Sequence, residues 1–198
     1  MRISIQCAAE IRTGYQVRQG LQPDPAGTHL VIQTKDIDGD NDHRLIVDNL
    51  DRITPGHDAS AQIINNGDIL FLSRGKRRFA TLVEGLPMFP HTIALSYFFV
   101  LRPNSDIVNP VFLTWVINET EIQEELARAA NGTTVPFVTK QSFSALEIEL
   151  PPLEKQDQIA RLYQLACRER LLIRRLERQR SEYLRSISCM LYEQAIAC

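Results

Sequence analysis

Apolar residues in the last quarter of the chain recur at alternating three- and four-residue intervals, which indicates a helix that packs along one stripe. From Pro151 to about Ala195 there is no glycine, and no proline follows Pro152, so nothing in the stretch interrupts a helix. Helices in globular domains usually have about 10 to 14 residues, so a helix this long needs a partner for its apolar face. The stripe consists of Ile159, Leu162, Ala166, Glu169, Ile173, Leu176, Arg180, Tyr183, Ile187 and Met190. We interpret it as a coiled-coil seam with polar interruptions.

The polar residues of this stripe pair with each other when a second copy of the helix packs antiparallel. If the two-fold axis lies between Arg174 and Arg175, Glu169 of one copy faces Arg180 of the other as an opposite charge. The same register pairs Ile173 with Leu176, Leu162 with Ile187, Ile159 with Met190 and small Ala166 with bulky Tyr183. We therefore predict an antiparallel homodimer. The alternatives are that this face packs on the chain's own first domain or on a different protein's helix, because heptads do not specify their partner.

Upstream of the helix the pattern changes to short apolar segments separated by turn residues, as in a mixed domain of strands and helices. We predict strands at 28–34, 69–73, 79–83, 93–101 and 143–150, and one amphipathic helix at 110–130 that stops before Gly132. The second and third of these strands would form a hairpin. The predicted fold class is α+β: a mixed α/β domain at 1–150, followed at 151–198 by one long helix that forms the antiparallel coiled coil.

Composition fits one ordinary domain with an appendage, since the chain has 198 residues and a hydrophobic share of 44%. The net charge is -2, and it is unevenly distributed. Nine of the 22 Lys and Arg residues lie between Glu154 and Ala195, but only six of the 24 Asp and Glu residues do. The rest of the chain is therefore mildly acidic. Overall charge therefore does not indicate a nucleic-acid-binding protein, and such a function requires a local basic patch.

The cysteines and the hydropathy favour a reduced, cytoplasmic protein. Cys7, Cys167, Cys189 and Cys198 are scattered and include no Cys-x-x-Cys pair. No apolar run reaches the roughly 18 residues that are needed to span a bilayer, so no membrane association is predicted. The N-terminal residues also lack the long apolar core of a signal peptide.

The motifs that could carry catalysis are each incomplete. Asp36, Asp38 and Asp40 have calcium-loop spacing, but Asn41 stands where the loop needs glycine and Val47 where it needs glutamate. The tetrapeptide at 109–112, Asn-Pro-Val-Phe, resembles that of amino-methyltransferases, but its second proline is missing and no glycine-rich cofactor loop precedes it. The histidines show no ligand-like spacing. We expect no enzymatic activity, no metal and no cofactor in this chain.

One basic turn suits nucleic-acid binding. The sequence SRGKRR at 73–78 places Arg74, Lys76, Arg77 and Arg78 together at the tip of the predicted hairpin. Clustered cations on a protruding loop suit contact with phosphates, and arginine also pairs with the edge of guanine in the major groove. The alternative is a solvated charged turn without a partner.

Two segments carry a family resemblance. The sequence GDILFLSRG at 67–75, and GTTVPFVTKQSFSALEIELPPLEKQDQIARL at 132–162, resemble the target-recognition domain and conserved helix of type I restriction-modification specificity subunits. The most specific feature is the order of elements: the strand with GDI, the Gly-Thr-Thr turn, a short strand, the double proline and then Gln156 and Ile159 at the start of a long helix. The resemblance covers most of the chain and is weakest before Asp36.

The resemblance implies a subunit that recognises double-stranded DNA and leaves catalysis to partners. Full-length members hold two recognition domains and two helices that pair antiparallel, whereas this sequence contains one of each and resembles a half-subunit. A homodimer would restore the missing half and recognise a bipartite, palindromic target. A helix of about 42 residues rises roughly 63 Å, so the two domains would contact separate stretches of duplex. The implied partners are a DNA adenine methyltransferase subunit, which uses S-adenosylmethionine, and in restricting systems an ATP-dependent translocating nuclease subunit.

The expected DNA contacts are the basic turn and, more weakly, the segment after the Gly-Thr-Thr turn. They comprise Arg74, Lys76, Arg77, Arg78, Lys140, Gln141 and Ser142. Other interpretations stay open: a specificity factor of a methylation-only or other phage-defence system, and one part of a split subunit whose partner carries a different recognition domain. A different class is a coiled-coil interaction protein without sequence-specific DNA binding, for which the basic turn would be dispensable.

Overall fold

The computed structural model describes residues 1–17, 20–39, 42–75, 78–132 and 135–196. It has the predicted α+β fold, with many short strands and one long C-terminal helix. The chain divides into two compact units, Met1–Arg161 and Leu162–Cys198. The division at 150/151 into a DNA-recognition part and a dimerisation part is a functional one and stays a prediction. Within the described residues no helix is both long and apolar enough to span a membrane.

The elements are numbered here in chain order. The strands are β1 (Arg2–Ser4), β2 (Ala9–Thr13), β3 (His29–Ile32), β4 (Ile37–Asp38), β5 (Arg44–Leu45), β6 (Asp51–Ile53), β7 (Ile63–Ile64), β8 (Ile69–Leu72), β9 (Ala80–Leu82), β10 (His91–Ala94), β11 (Phe98–Pro103) and β12 (Glu147–Glu149). The helices are α1 (Ile5–Ala8), α2 (Pro110–Asn118), α3 (Thr120–Arg128), α4 (Lys140–Ala145) and α5 (Leu153–Ile196).

Two four-stranded sheets form the frame of the first unit. One is antiparallel with the order β2-β11-β8-β9, and the other has the order β6-β3-β10-β7, in which β3 and β10 run parallel. Strand β8 is apolar at every position because both of its faces are covered. Ile69 and Phe71 pack in the core cluster that contains the helices, while Leu70 and Leu72 pack in a cluster with β3 and β10.

A buried glutamine holds the start of α5 against the start of α2. The side chain of Gln156 accepts a hydrogen bond from the Asn109 backbone N–H at 2.9 Å and donates to the carbonyls of Ile107 at 3.0 Å and Pro151 at 2.9 Å. The Asn109 side chain caps α2 and also donates to Asp157 at 2.8 Å. These bonds satisfy polar groups that burial would otherwise leave without partners.

Two of the predicted elements are split in the structure. The predicted strand at 93–101 is divided between β10 and β11, which belong to different sheets and are separated by a turn through Ser96 and Tyr97. The predicted helix at 110–130 is divided at Glu119, whose backbone is extended. The reason lies in Asn118, whose side chain exchanges two hydrogen bonds of 2.8 Å with the backbone of Ala80 and so terminates α2 against β9.

The predicted strand at 143–150 is wrong in its first half. Residues up to Ala145 form α4, and only β12 is extended. Thr139 caps the helix by accepting a hydrogen bond from the Ser142 N–H at 3.0 Å. Phe143 is fully buried and stacks on Phe71 with ring centroids 4.2 Å apart, so its apolar character reflects helix packing rather than strand alternation.

Candidate nucleic-acid interface

The chain beyond β8 is anchored before it reaches the basic turn. Ser73 is buried, and both its N–H and its hydroxyl donate to the carbonyl of Tyr97, at 2.9 and 2.7 Å. The Tyr97 hydroxyl accepts a bond of 3.3 Å from the Thr34 N–H, which ties this end of β8 to the second sheet. The next residue, Arg74, is exposed, and the hydrogen bonds of Ser73 fix the backbone directly before it.

Arg74 pairs with the segment that follows the Gly-Thr-Thr turn. The Gly75 N–H donates to the Pro136 carbonyl and the Val138 N–H donates to the Ser73 carbonyl, both at 2.9 Å. These bonds flank Arg74 and Phe137, which therefore lie opposite each other in an antiparallel bridge. The structure thus brings together two stretches that the sequence separates by about sixty residues.

A second bridge extends this pairing. The N–H of Asn131 donates to the carbonyl of Phe137, and the N–H of Phe137 donates to the carbonyl of Asn131, both at 2.8 Å. Three backbone segments thus lie side by side, with one residue from each at the centre: Arg74, Phe137 and Asn131. We call this set of three residues the cross-strand row. All three side chains are exposed, and Phe137 keeps 41% of its surface accessible.

The weaker predicted contacts follow directly on this ladder. Lys140 and Gln141 are exposed in the first turn of α4, two and three residues beyond Val138. Ser142 is half-buried, and its hydroxyl lies 2.9 Å from that of Thr139 within the helix cap. Its side chain therefore has a structural partner, whereas Lys140 and Gln141 are directed to solvent.

The remaining predicted contacts belong to the basic turn itself. Arg78 is half-buried, and its Nη1 lies 3.5 Å from the carbonyl of Gly75, which is the limit of a hydrogen bond. Lys76 and Arg77 lie outside the described residues. All seven predicted DNA contacts stay predictions.

Of the cations that the structure describes in the first unit, some have their charge compensated by a nearby carboxylate, and Arg74 and Lys140 are not among them. Arg102 donates two hydrogen bonds to buried Asp68, at 2.9 and 2.8 Å, and this bonding raises the pKa of Arg102. Lys35 lies 2.5 Å from Asp51, and that hydrogen bond raises the pKa of Lys35 and lowers the pKa of Asp51. Arg74 and Lys140 form no ion pair with any described residue, so their charge is available to a phosphate or a base edge.

The predicted seam residues differ in exposure along α5. Leu162, Leu176 and Tyr183 are 69%, 66% and 65% exposed, and the side chains of Glu169 and Arg180 are also exposed. Ile173 and Met190 are exposed as well, while Ala166 and Ile187 are half-buried. Ile159 lies within the first unit and packs against its core, so part of its surface is already covered. The pairing of these residues across a dimer stays a prediction.

Other exposed apolar residues on the same helix lie outside the predicted seam. Leu165 and Leu172 each lie one position before a predicted seam residue, and Leu184 and Leu191 each lie one position after one. The exposed apolar band is therefore wider than a seam of two heptad positions. The signal was present in the sequence, since these leucines occupy positions flanking the seam where coiled coils usually carry charged residues.

Among the described residues, no group of three or more histidine, cysteine, aspartate or glutamate side chains is arranged to hold a metal ion. Of the three aspartates with calcium-loop spacing, Asp36 ends a short 3-10 turn and accepts a 2.8 Å bond from the Gln33 N–H, Asp38 lies in β4, and Asp40 lies outside the described residues. Burial raises the pKa of Asp36.

Comparisons with known proteins agree with this architecture. The family model described as type I restriction modification DNA specificity domain matches residues 55–164. No curated protein matches the chain. The structural matches include the S subunit of the type I restriction-modification system from M. genitalium, with 13% identity and a TM-score of 0.56 over 83% of this chain and 38% of that one.

Two further structures share the fold. The HsdS subunit from Thermoanaerobacter tengcongensis matches with 20% identity and a TM-score of 0.60, covering 89% of this chain and 44% of that one. A chain from a structure that addresses complex assembly and conformational transition of the type I R-M system matches with 17% identity and a TM-score of 0.67. The match covers 94% of this chain and 43% of that one. The chain thus spans less than half the length of each of these structures. Because the family model covers more than half of its residues, this chain belongs to the family of type I restriction-modification DNA specificity domains.

Proposed function

We propose that this chain is a non-catalytic DNA sequence-specificity subunit of a type I restriction-modification-like system. The observation that carries the proposal is the ladder that places Arg74, without an ion-pair partner in the described part of the chain, beside the segment leading to Lys140. Two exposed cations from distant parts of the sequence thus lie on backbone segments that hydrogen bonds join, and their charges suit a phosphate backbone and a base edge.

The proposal includes an antiparallel homodimer through α5. The exposed side chains of Leu162, Leu176 and Tyr183 support it, because apolar residues at heptad spacing lose their contact with water when a second helix covers them. The opposite charges of Glu169 and Arg180 support the register with the two-fold axis between Arg174 and Arg175. Two identical recognition domains related by this axis would bind inverted half-sites of a palindromic, bipartite target.

A DNA adenine methyltransferase subunit is the proposed catalytic partner, joined in restricting systems by a translocating nuclease. The width of the apolar band on α5 supports a further protein partner. A two-stranded seam covers the predicted stripe, whereas Leu165, Leu172, Leu184 and Leu191 flank it and offer apolar surface to a third helix.

The proposed function is tested by purifying the chain with the subunits that co-purify with it and mapping methylated adenines in the host DNA. We expect one methylated motif made of two inverted half-sites. An asymmetric motif would contradict the homodimer and favour a split subunit with a second recognition domain. The absence of any methylated motif, together with no enrichment of duplex DNA by the purified complex, would contradict DNA specificity and favour the coiled-coil interaction protein.

The role of the basic turn has its own test. Arg74→Glu should weaken binding of the methylated-motif duplex by about tenfold or more, because a favourable contact becomes repulsive. Arg52→Glu is a matched control, since Arg52 is an exposed arginine on the edge strand β6 of the other sheet. Equal affinities of the two variants, measured by fluorescence anisotropy at fixed salt, would remove Arg74 from the interface.

A further inference from the structure

The cross-strand row has a geometry that the sequence does not reveal. In antiparallel pairing, residues directly opposite each other direct their side chains to the same face. Arg74 and Phe137 form the pair without hydrogen bonds of their own, in which side chains are closest, and Phe137 and Asn131 form the hydrogen-bonded pair. The side chains of Arg74, Phe137 and Asn131 therefore stand in one line across three segments.

The chemistry of this line matches three kinds of base edge in the major groove. Arginine donates two hydrogen bonds to O6 and N7 of guanine, and asparagine forms a donor-acceptor pair with N6 and N7 of adenine. Phenylalanine contacts the methyl group of thymine. Adjacent strands lie about 4.8 Å apart, so the line spans roughly 10 Å, which equals about three base-pair steps of 3.4 Å.

The exposure of Phe137 needs an explanation beyond folding. The residue keeps 41% of its surface accessible although its backbone is fixed. Its own N–H and carbonyl bond Asn131 at 2.8 Å, and the adjacent Pro136 carbonyl and Val138 N–H form bonds of 2.9 Å on the other side. Because the backbone of Phe137 is already fixed, binding does not have to order the chain that carries the ring. The neighbouring Val135 is also exposed and adds apolar surface on this loop.

We propose that the cross-strand row is the base-recognition element of each half-site, inserted in the major groove, with Arg74 on guanine, Phe137 on a thymine methyl group and Asn131 on adenine. This inference rests on the proposed function and adds the identity of the specificity-determining residues. The other cations of the basic turn and Lys140 then contact phosphates and set the register, while the row, which includes Arg74, selects the sequence.

The experiment is selection from a randomised duplex DNA pool by the full chain in complex with its methyltransferase, followed by sequencing. Phe137→Ala should lose its preference at a thymine position in each half-site and retain the others. Asn131→Asp, which removes the donor and leaves only acceptors, should change an adenine preference to cytosine, because a carboxylate accepts from cytosine N4. Each loss should correspond to about 5- to 100-fold in affinity for the best site.

Replacing the selected thymine by deoxyuridine gives an independent measurement. The wild-type complex should bind the uracil duplex more weakly, and Phe137→Ala should bind both duplexes equally, since the variant has no ring to contact the methyl group. Phe89→Ala is the matched control, because Phe89 is an exposed phenylalanine in the loop before β10, and it should keep the wild-type motif. Circular dichroism and thermal melting of each variant establish that it is folded, and Phe137→Leu tests the same position with an apolar side chain.

The outcomes separate this inference from the proposed function. If the wild-type complex enriches a motif and the row variants enrich the same motif with all positions intact, the row inference is wrong and the specificity function stands. If the wild-type complex enriches nothing, the proposed function itself fails. A preference lost at positions other than guanine, thymine or adenine would also contradict the assignment.

Discussion

Strand β8 and the later part of helix α5 are both rich in large apolar residues, but those of β8 are buried by the rest of the first unit and those of α5 are exposed. In β8 all four residues are buried, Phe71 completely, because one sheet face meets helices and the other meets the second sheet. In the second unit Leu176, Tyr183 and Leu191 are more than half exposed. The first unit thus supplies its own core, whereas the second presents an apolar surface of the kind that marks an interaction site.

The same comparison bears on the proposed division of function along the chain. Strand β8 is buried on both faces and Ser73, directly after it, donates two hydrogen bonds to the Tyr97 carbonyl, so the backbone that follows β8 is held in a defined position. Arg74 follows it by two residues and pairs at once with Phe137. A helix with one long exposed stripe gains its stability from a partner and offers a contact that a second chain can make or break.

The largest effect is expected for Leu176→Asp. In the proposed dimer this residue faces Ile173 at two symmetry-related places, so one substitution removes two apolar contacts and adds two charges near the axis. We expect association to weaken by about 4 kcal/mol or more, roughly a thousandfold or greater. Light scattering of Leu176→Asp should give the mass of one chain. The control Ser181→Asp, on the outer side of the helix, should retain the mass of two chains. A mass of two chains for both variants would refute the seam.

Phe71→Ala should affect folding of the first unit instead of association. Removing a fully buried ring that stacks on Phe143 costs about 3–5 kcal/mol. Urea unfolding can be followed by the fluorescence of Trp115, the only tryptophan, which packs against the same core. The matched exposed ring is Tyr183, whose replacement by alanine should move the transition by less than about 0.5 kcal/mol at a concentration where the chain is monomeric. Similar shifts for both variants would break the distinction between the two regions.

Gln156→Leu probes the junction between the start of α5 and α2. The substitution leaves the Asn109 N–H and the carbonyls of Ile107 and Pro151 without their partners in a buried site. We expect a loss of about 2–4 kcal/mol in the free energy of unfolding, measured by the same urea transition. Gln158→Leu is the control, because Gln158 is exposed and bonds only Lys155 in the described structure. An unchanged midpoint for Gln156→Leu would show that the junction tolerates the loss.

The smallest effect tests the register of the helix pair. Glu169→Arg and Arg180→Glu should each weaken dimerisation by about 1 kcal/mol, since each places like charges opposite one another twice in the dimer. The double variant should recover most of the affinity, which analytical ultracentrifugation can measure. Additive losses in the double variant would show that the two residues do not face each other and would exclude this register.

Periodic apolar patterns were sufficient for the elements whose environment is uniform along their length. Helix α5 and strand β8 lie close to their predicted bounds, since one is a continuous stripe and the other a short run buried on both faces. Patterns failed where a single side chain decides a boundary. Asn118 bonds Ala80, which lies far away in the sequence, and thereby divides a predicted helix, and no local propensity encodes that contact.

The candidate site was predictable only in part for the same reason. Arg74 and Lys140 could be named as candidate DNA contacts because charged residues near turns are visible in a sequence. Phe137 and Asn131 were not named as candidates, because an aromatic and an amide residue in a loop give no signal until backbone pairing aligns them with Arg74.

The sequence by itself determined the α+β class, the long uninterrupted helix, its apolar stripe and the family resemblance, because these depend on spacing along the chain. Only the tertiary structure decided which residues share the face beside Arg74. Hydrogen bonds from Gly75 to Pro136 and from Val138 to Ser73 close a loop of about sixty residues. Such a pairing depends on two sheets and a core that hold its ends in place, and no local pattern of residues specifies it.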